Sequence, residues 1–222
     1  MDVELARFNM IEQQIRPWNV LDQQVLDLLA VVRREEFVPP ALRAMAFADL
    51  ELPLSVDGVA TGEVMLPPRV EARLLQELQV HSTDTVLEIG TGSGYMAALL
   101  ARRAQQVETL EIHPGLAAWA RGNLARAGIN NARVVQADGS RDHASLAGAD
   151  IIVLSGAVPE VPQSLLDRLN PGGRLAAIVG RLPVMQAVII RRSEQGHLAT
   201  EVLFETATRP LQGFVAHEAF SL

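Results

Sequence analysis

Thr85-Val86-Leu87-Glu88-Ile89-Gly90-Thr91-Gly92-Ser93-Gly94-Tyr95 is the stretch that decides the fold. An apolar run that ends in an acid reads as a buried strand, the alternating glycines as a turn, and the residues from Gly94 onward as a helix start. Glycine at 90, 92 and 94 lets the chain take positive φ and approach a ligand without a Cβ, leaving helix-start amides free. The same spacing also serves plain chain reversal, so its weight comes from what surrounds it.

Outward from this turn the pattern is regular. Apolar runs at 84–89, 106–111, 132–137, 149–155 and 173–179 read as strands, and 94–104, 115–127 and 162–169 as helices. Strands alternating with helices predict a doubly wound, mostly parallel α/β sheet of the Rossmann-like type. At the tail, 184–192 and 199–208 are extended runs joined by only Ser193-Glu194-Gln195-Gly196-His197, which predicts an antiparallel hairpin. Before the sheet, 3–16 and 22–33 carry helical periodicity, the first stopped by Pro17 and the second capped by Asp22. A short turn follows near 41–45, then mostly loop to residue 67, then a helix over 68–79 with Val70, Leu74, Leu75 and Leu78 on one face. The chain is expected to form one domain, with 1–80 as a helical and substrate-side extension and 81–222 as the ligand-binding core.

Composition removes whole classes of chemistry. There is no cysteine, which excludes disulfides, thiolate metal sites and cysteine nucleophiles. All 19 basic residues are arginine, so no lysine is present for a phosphate loop, a Schiff base or a general base. The formal charge of −7 comes without a basic stripe for nucleic acid. Arg33-Arg34 and Arg191-Arg192 read as solvated faces. The histidines at 81, 113, 143, 197 and 217 lack close ligand spacing, and no metal is assigned. No apolar run approaches a membrane-spanning length and Met1-Asp2-Val3-Glu4 lacks a basic leader, so a soluble cytoplasmic protein with no membrane partner is expected.

The acids at the strand ends carry the functional reading, because ligands of open α/β sheets sit beyond those ends. Glu88 closes the first core strand, Glu111 the second, and Asp138 the third just before Gly139. A carboxylate can accept from both hydroxyls of a ribose, the role assigned to Glu111, 17 residues beyond Gly94; Asp138 is placed to accept from an adenine amino group. The plain alternative is that each acid only caps the helix that follows. A dinucleotide and S-adenosyl-L-methionine share adenosine, but an acid at Glu88 suits an ammonium and a sulfonium better than a pyrophosphate.

The chain resembles the protein-L-isoaspartate O-methyltransferase family of class I S-adenosylmethionine-dependent methyltransferases. The resemblance rests on Met10-Ile11-Glu12-Gln13-Gln14-Ile15, Arg34 to Pro39, Ala46 to Asp49 with Leu52-Pro53-Leu54, Val86 to Tyr95, Val158 to Pro162, and Leu165 to Leu175. It implies a seven-stranded sheet with an antiparallel final strand, and a protein or peptide substrate bearing an isoaspartyl carboxylate. It also implies a cofactor site of Glu88, Gly90, Thr91, Gly92, Gly94, Glu111, Ile112, Asp138 and Gly139.

The family's substrate segment usually reads Gly-x-Thr-Ile-Ser-x-Pro; here it is Gly62-Glu63-Val64-Met65-Leu66-Pro67-Pro68. Val64 and Leu66 replace the two hydroxyls and Glu63 adds a charge. Where the family ends an apolar strand in Val-Pro-Leu, this chain has Glu205-Thr206-Ala207-Thr208-Arg209-Pro210-Leu211. Val64, Met65 and Leu66 are the expected substrate-side wall, with Ser55, Thr61 and Arg69 as nearby polar substitutes. No residue is assigned as a catalytic base. Besides carboxyl methylation, methyl transfer to another acceptor, cofactor binding without turnover, and NAD-dependent chemistry stay open at this stage, as does the oligomeric state.

Overall fold

The computed structural model describes residues 2–141 and 147–215. His143 and His217, two of the five histidines read above, lie outside them. One seven-stranded sheet runs in the order β5 (Ala132–Gln136), β4 (Gln106–Glu111), β3 (Thr85–Ile89), β6 (Ala149–Val158), β7 (Leu169–Arg181), β8 (Val184–Arg192), β9 (Leu198–Thr206). The first five are mutually parallel, while β8 is antiparallel to both β7 and β9. This is the Rossmann-like sheet with an antiparallel C-terminal hairpin that the alternation predicts. The order reverses between β3 and β6, so their carboxyl ends form the crevice where such sheets take ligands.

Local chemistry places the ends. Asp22 accepts from the Gln24 amide at 2.8 Å and starts α2 (Gln23–Val31). His113 Nδ1 accepts from the amides of Gly115 and Leu116 and starts α5 (Pro114–Arg126). α1 (Val3–Met10) continues through a π-type turn over Ile11–Ile15 into a 3₁₀ turn containing Pro17, where helical hydrogen bonding stops. α3 (Pro68–Leu78) buries Val70, Leu74, Leu75 and Leu78. These N-terminal helices share one apolar cluster with α4 (Tyr95–Ala101) and the sheet, reaching from Met10 through Leu99 to Ile189. α6 (Gln163–Arg168) leads into β7.

Two expectations need correction. Much of the stretch expected as loop before residue 67 is an antiparallel hairpin, β1 (Leu52–Val56) and β2 (Val59–Met65), with Val56 opposite Val59. The cause is Asp57-Gly58: both take positive φ, 51° and 79°, as a tight two-residue hairpin turn demands. Arg34, read as solvated, is 1% exposed. It ion-pairs with Glu71 and donates to the carbonyls of Leu66 at 2.6 Å and Ala46 at 3.0 Å. Its guanidinium also lies over the Tyr95 ring at 5.0 Å. These contacts fix the exit of the hairpin against the helical layer.

Candidate functional site

The glycine turn adopts the conformation its sequence calls for. Gly90, Gly92 and Gly94 have φ of 92°, 53° and 84°. The turn sits at the carboxyl ends of β3 and β6, and the residues lining the cleft above it include Gly90, Gly92, Glu111, Ile112, Gly139 and Val64. Glu111 is held from below. Its Oε2 accepts from the Gly92 amide at 2.8 Å and its Oε1 from the His113 amide at 2.9 Å. Each oxygen keeps a lone pair for a hydroxyl donor in the cleft. Burial raises the Glu111 pKa, the two amides oppose the rise, and the charge of Glu63 adds to it.

Glu88 does not line this cleft. It is fully buried beneath the turn, accepting from the Thr109 hydroxyl at 2.6 Å and the Ser155 hydroxyl at 2.7 Å. Burial pushes its pKa up to about 8 against the pull of those hydroxyls, with Glu71 and Glu111 adding to the rise. The carboxyl groups that do line the cleft are those of Glu111 and Glu63. Thr91 is likewise buried, its hydroxyl 2.6 Å from that of Thr109. Gly94 caps α4 and faces α5: a Cβ there would meet Ala120 and Leu124 at 3.4 Å. Asp138 is not among the residues that line the cleft; its Oδ1 accepts from the Ser140 amide and hydroxyl. Gly139 has no room for a side chain, since a Cβ would sit 2.3 Å from Ile89.

Of the expected substrate-side wall, only Val64 reaches the cleft. Met65 points the other way in β2, and Met65 and Leu66 are 4% and 5% exposed within the core. Thr61 is turned toward the Leu54 carbonyl, and Arg69 pairs with Asp49 and covers Trp18. Residues the sequence reading did not place here are Ser155, Leu211 and Gln212. Leu211 packs so closely on the turn that a Cβ at Gly90 would meet it at 2.7 Å, and one at Gly156 at 2.8 Å.

The strap that carries Leu211 is pinned by Ala157, whose amide donates to Arg209 and whose carbonyl accepts from Leu211. Gln212 Nε2 donates to Glu63 Oε1 at 2.6 Å, joining strap and hairpin across the cleft. The space left is about 50 Å³, room for a water or two.

The comparisons with known proteins bear on what this cleft takes. Residues 6–213 match the family model described as protein-L-isoaspartate(D-aspartate) O-methyltransferase. The chain belongs to this family. It is 39% identical over 209 residues to the protein-L-isoaspartate O-methyltransferase of Koribacter versatilis, covering 94% of this chain and 91% of that one. It is 40% identical over 207 residues to its counterpart in Methanoculleus marisnigri, covering 93% and 91%.

A solved protein-L-isoaspartate O-methyltransferase superposes with a TM-score of 0.78 at 23% identity, over 93% of this chain and 66% of that one. A Plasmodium falciparum candidate of the same kind, solved with S-adenosyl-L-homocysteine, gives 0.73 at 19% identity over 92% and 97%. These two show the shared fold. Family membership makes the protein an S-adenosylmethionine-dependent methyltransferase and decides the nucleoside question left open by the sequence. The residues suit that cofactor: a bare cradle under the ligand, a ribose-competent carboxyl at Glu111, and a second carboxyl, Glu63, in the cleft wall.

Proposed function

We propose that this protein is a cytoplasmic carboxyl methyltransferase, working as one methyltransferase domain, that esterifies isoaspartyl carboxylates in peptides or proteins. The observation that carries the reading is the extent of the family match. It spans residues 6–213, and so takes in the β1–β2 wall and the C-terminal strap as well as the common glycine turn.

S-adenosylmethionine supplies an electrophilic methyl group on a sulfonium. In this reading Glu111 accepts from the ribose hydroxyls, Gly90, Gly92 and Gly139 let the ligand lie on main chain, and Ile112 and Asp138 border the base. Glu88 acts from beneath through Ser155, while Thr91 and Gly94 hold the turn in shape. Val64 supplies the dry side of the acceptor pocket. A carboxylate acceptor has a pKa near 4 and arrives ionised, so no general base is needed. What the protein contributes is approach geometry and exclusion of water around the attacking oxygen.

The test is incubation with S-adenosylmethionine and an isoaspartyl peptide beside its aspartyl counterpart. A base-labile methyl ester on the isoaspartyl peptide alone is expected; none on either peptide rejects the substrate. One feature favours a second acceptor class. Glu63 places a carboxylate in the acceptor wall, which favours a neutral or cationic group. Methyl transfer from labelled cofactor to such a group in a cell extract, with the isoaspartyl peptide inert, would establish that alternative.

A further inference from the structure

A larger groove lies on the far side of the strap from the cofactor cleft. It holds about 850 Å³, and Leu182, Met185, Pro210 and Phe214 give it apolar walls. Leu182 and Val215, at its edge, are 73% and 82% exposed. The strap is the partition: Arg209 and Pro210 face this groove and Leu211 faces the cleft. A chain lying in the groove therefore runs alongside the place where methyl transfer occurs.

Two residues that line the same groove each bury an unsatisfied polar atom in its wall. Thr208 is 9% exposed, and its Oγ1 is buried with no hydrogen-bond partner among the described residues; Glu51 Oε1 is in the same state. Buried polar atoms are normally paired, and an orphan of this kind costs about 1 to 3 kcal/mol. A hydroxyl can donate and a carboxylate can accept. The complementary ligand offers a carbonyl and an N–H together, as an extended peptide backbone does. At the mouth stand Arg181 and Arg209, both exposed and neither in an ion pair among the described residues. In a chain of net charge −7 that is a local excess of positive charge.

The geometry points to this groove as the seat for the acceptor polypeptide flanking the methylated residue, with Arg181 and Arg209 selecting segments that carry acidic side chains there. The inference rests on the reading of the protein as a methyltransferase of peptide carboxylates. It gives that reading a sequence preference the family match does not contain.

The experiment uses three fluorescent peptides sharing one central isoaspartyl residue, flanked by glutamates, by glutamines or by arginines. Two exposed charges at favourable distance are worth about tenfold together. The expected result is a KM about tenfold lower for the glutamate-flanked peptide than for the glutamine-flanked one, at equal kcat. That advantage should vanish near 1 M salt, where screening acts within about 3 Å. It should also vanish in the double variant Arg181→Gln, Arg209→Gln, both surface changes.

Thr208→Val should raise KM for all three peptides while leaving thermal stability equal or higher, because it deletes an orphan hydroxyl. A merely structural Thr208 would show the reverse. If the peptides are methylated with no charge preference, or if the preference survives in the double variant, the groove assignment is overturned while the isoaspartyl reading stands. If none is methylated, fluorescence polarisation with the same peptides reads the groove directly. Charge-dependent binding lost in the double variant supports it, and its absence overturns it.

Discussion

Replacing Glu88 by glutamine should change how stability depends on pH more than it changes stability at any one mild pH. Glu88 is completely buried, and its pKa rises from 4.5 to about 8. For an acid whose folded pKa lies above its unfolded one, the folded state holds the proton longer. Stability is therefore full below about 4.5 and falls as pH rises toward 8. The slope is about 1.4 kcal/mol per pH unit and the total roughly 5 kcal/mol above pH 8. Glutamine has the shape of the neutral carboxyl and, like it, offers a donor and an acceptor to the Thr109 and Ser155 hydroxyls.

Glu71, the other strongly shifted acid, complicates the lower part of the range. Burial raises it to about 7 while Arg34 opposes the rise. Glu71 is half titrated at pH 7 and finishes near pH 8, so it is the difference between wild type and variant across this window that isolates Glu88. Urea unfolding at half-unit steps from pH 5 to 9 gives the slope directly. Between pH 7 and 8 the wild type should lose about 1 kcal/mol more than Glu88→Gln, and the variant should be several kcal/mol more stable at pH 9. Parallel curves for the two proteins between 7 and 8 would refute the assignment of a neutral, buried Glu88.

Other substitutions test the remaining parts of the site. Glu111→Gln should weaken S-adenosylmethionine binding by about tenfold to a hundredfold, the worth of hydrogen bonds to a charged acceptor, with little loss of thermal stability; isothermal titration measures it. Gly90→Ala forces alanine to a φ of 92° and a Cβ to 2.7 Å from Leu211. It should destabilise by about 1 to 3 kcal/mol, and Leu211→Ala should return only the steric part. Arg34→Met leaves Glu71 buried without its partner and should cost about 3 to 5 kcal/mol in urea unfolding, with faster amide exchange around Leu66. Val64→Thr should raise isoaspartyl turnover, since Val64 lines the cleft, whereas Leu66→Ser should only lower stability, since Leu66 is a core residue.

The parts of this molecule legible in the sequence are those set by local periodicity. The strand ending at Ile89, the positive φ of Gly90, Gly92 and Gly94, and the acid at Glu111 all follow from short-range rules. The hairpin over residues 52–65 was equally local. Asp57-Gly58 between two runs of alternating apolar residues is a strong turn signal, and it was hidden by the prolines and polar residues around it. Arg34 was not legible in the same way, because its burial depends on Glu71 and on carbonyls 12 and 32 residues away. Nor was the depth of Glu88. A strand-end acid reads alike in one dimension whether it faces a ligand or lies under the turn.

The departures from the family pattern at Val64 and in the stretch before Leu211 are far apart in sequence, yet they form one wall. Glu63 on β2 meets Gln212 on the strap at 2.6 Å, 149 residues away, and Val64 and Leu211 both line the cleft those two close over. A change of side chain on one face of that wall alters what the other can hold. In the proposed reading, valine at 64 in place of the family's hydroxyl removes a donor from the acceptor pocket, while Thr208 and Arg209 place a hydroxyl and a charge on the opposite side of the same strap. If the groove seats the acceptor chain as proposed, polar recognition is shifted from the reacting group toward the chain that carries it. An enzyme arranged this way discriminates less by the carboxylate it methylates and more by the segment around it, a preference that would register as KM rather than kcat.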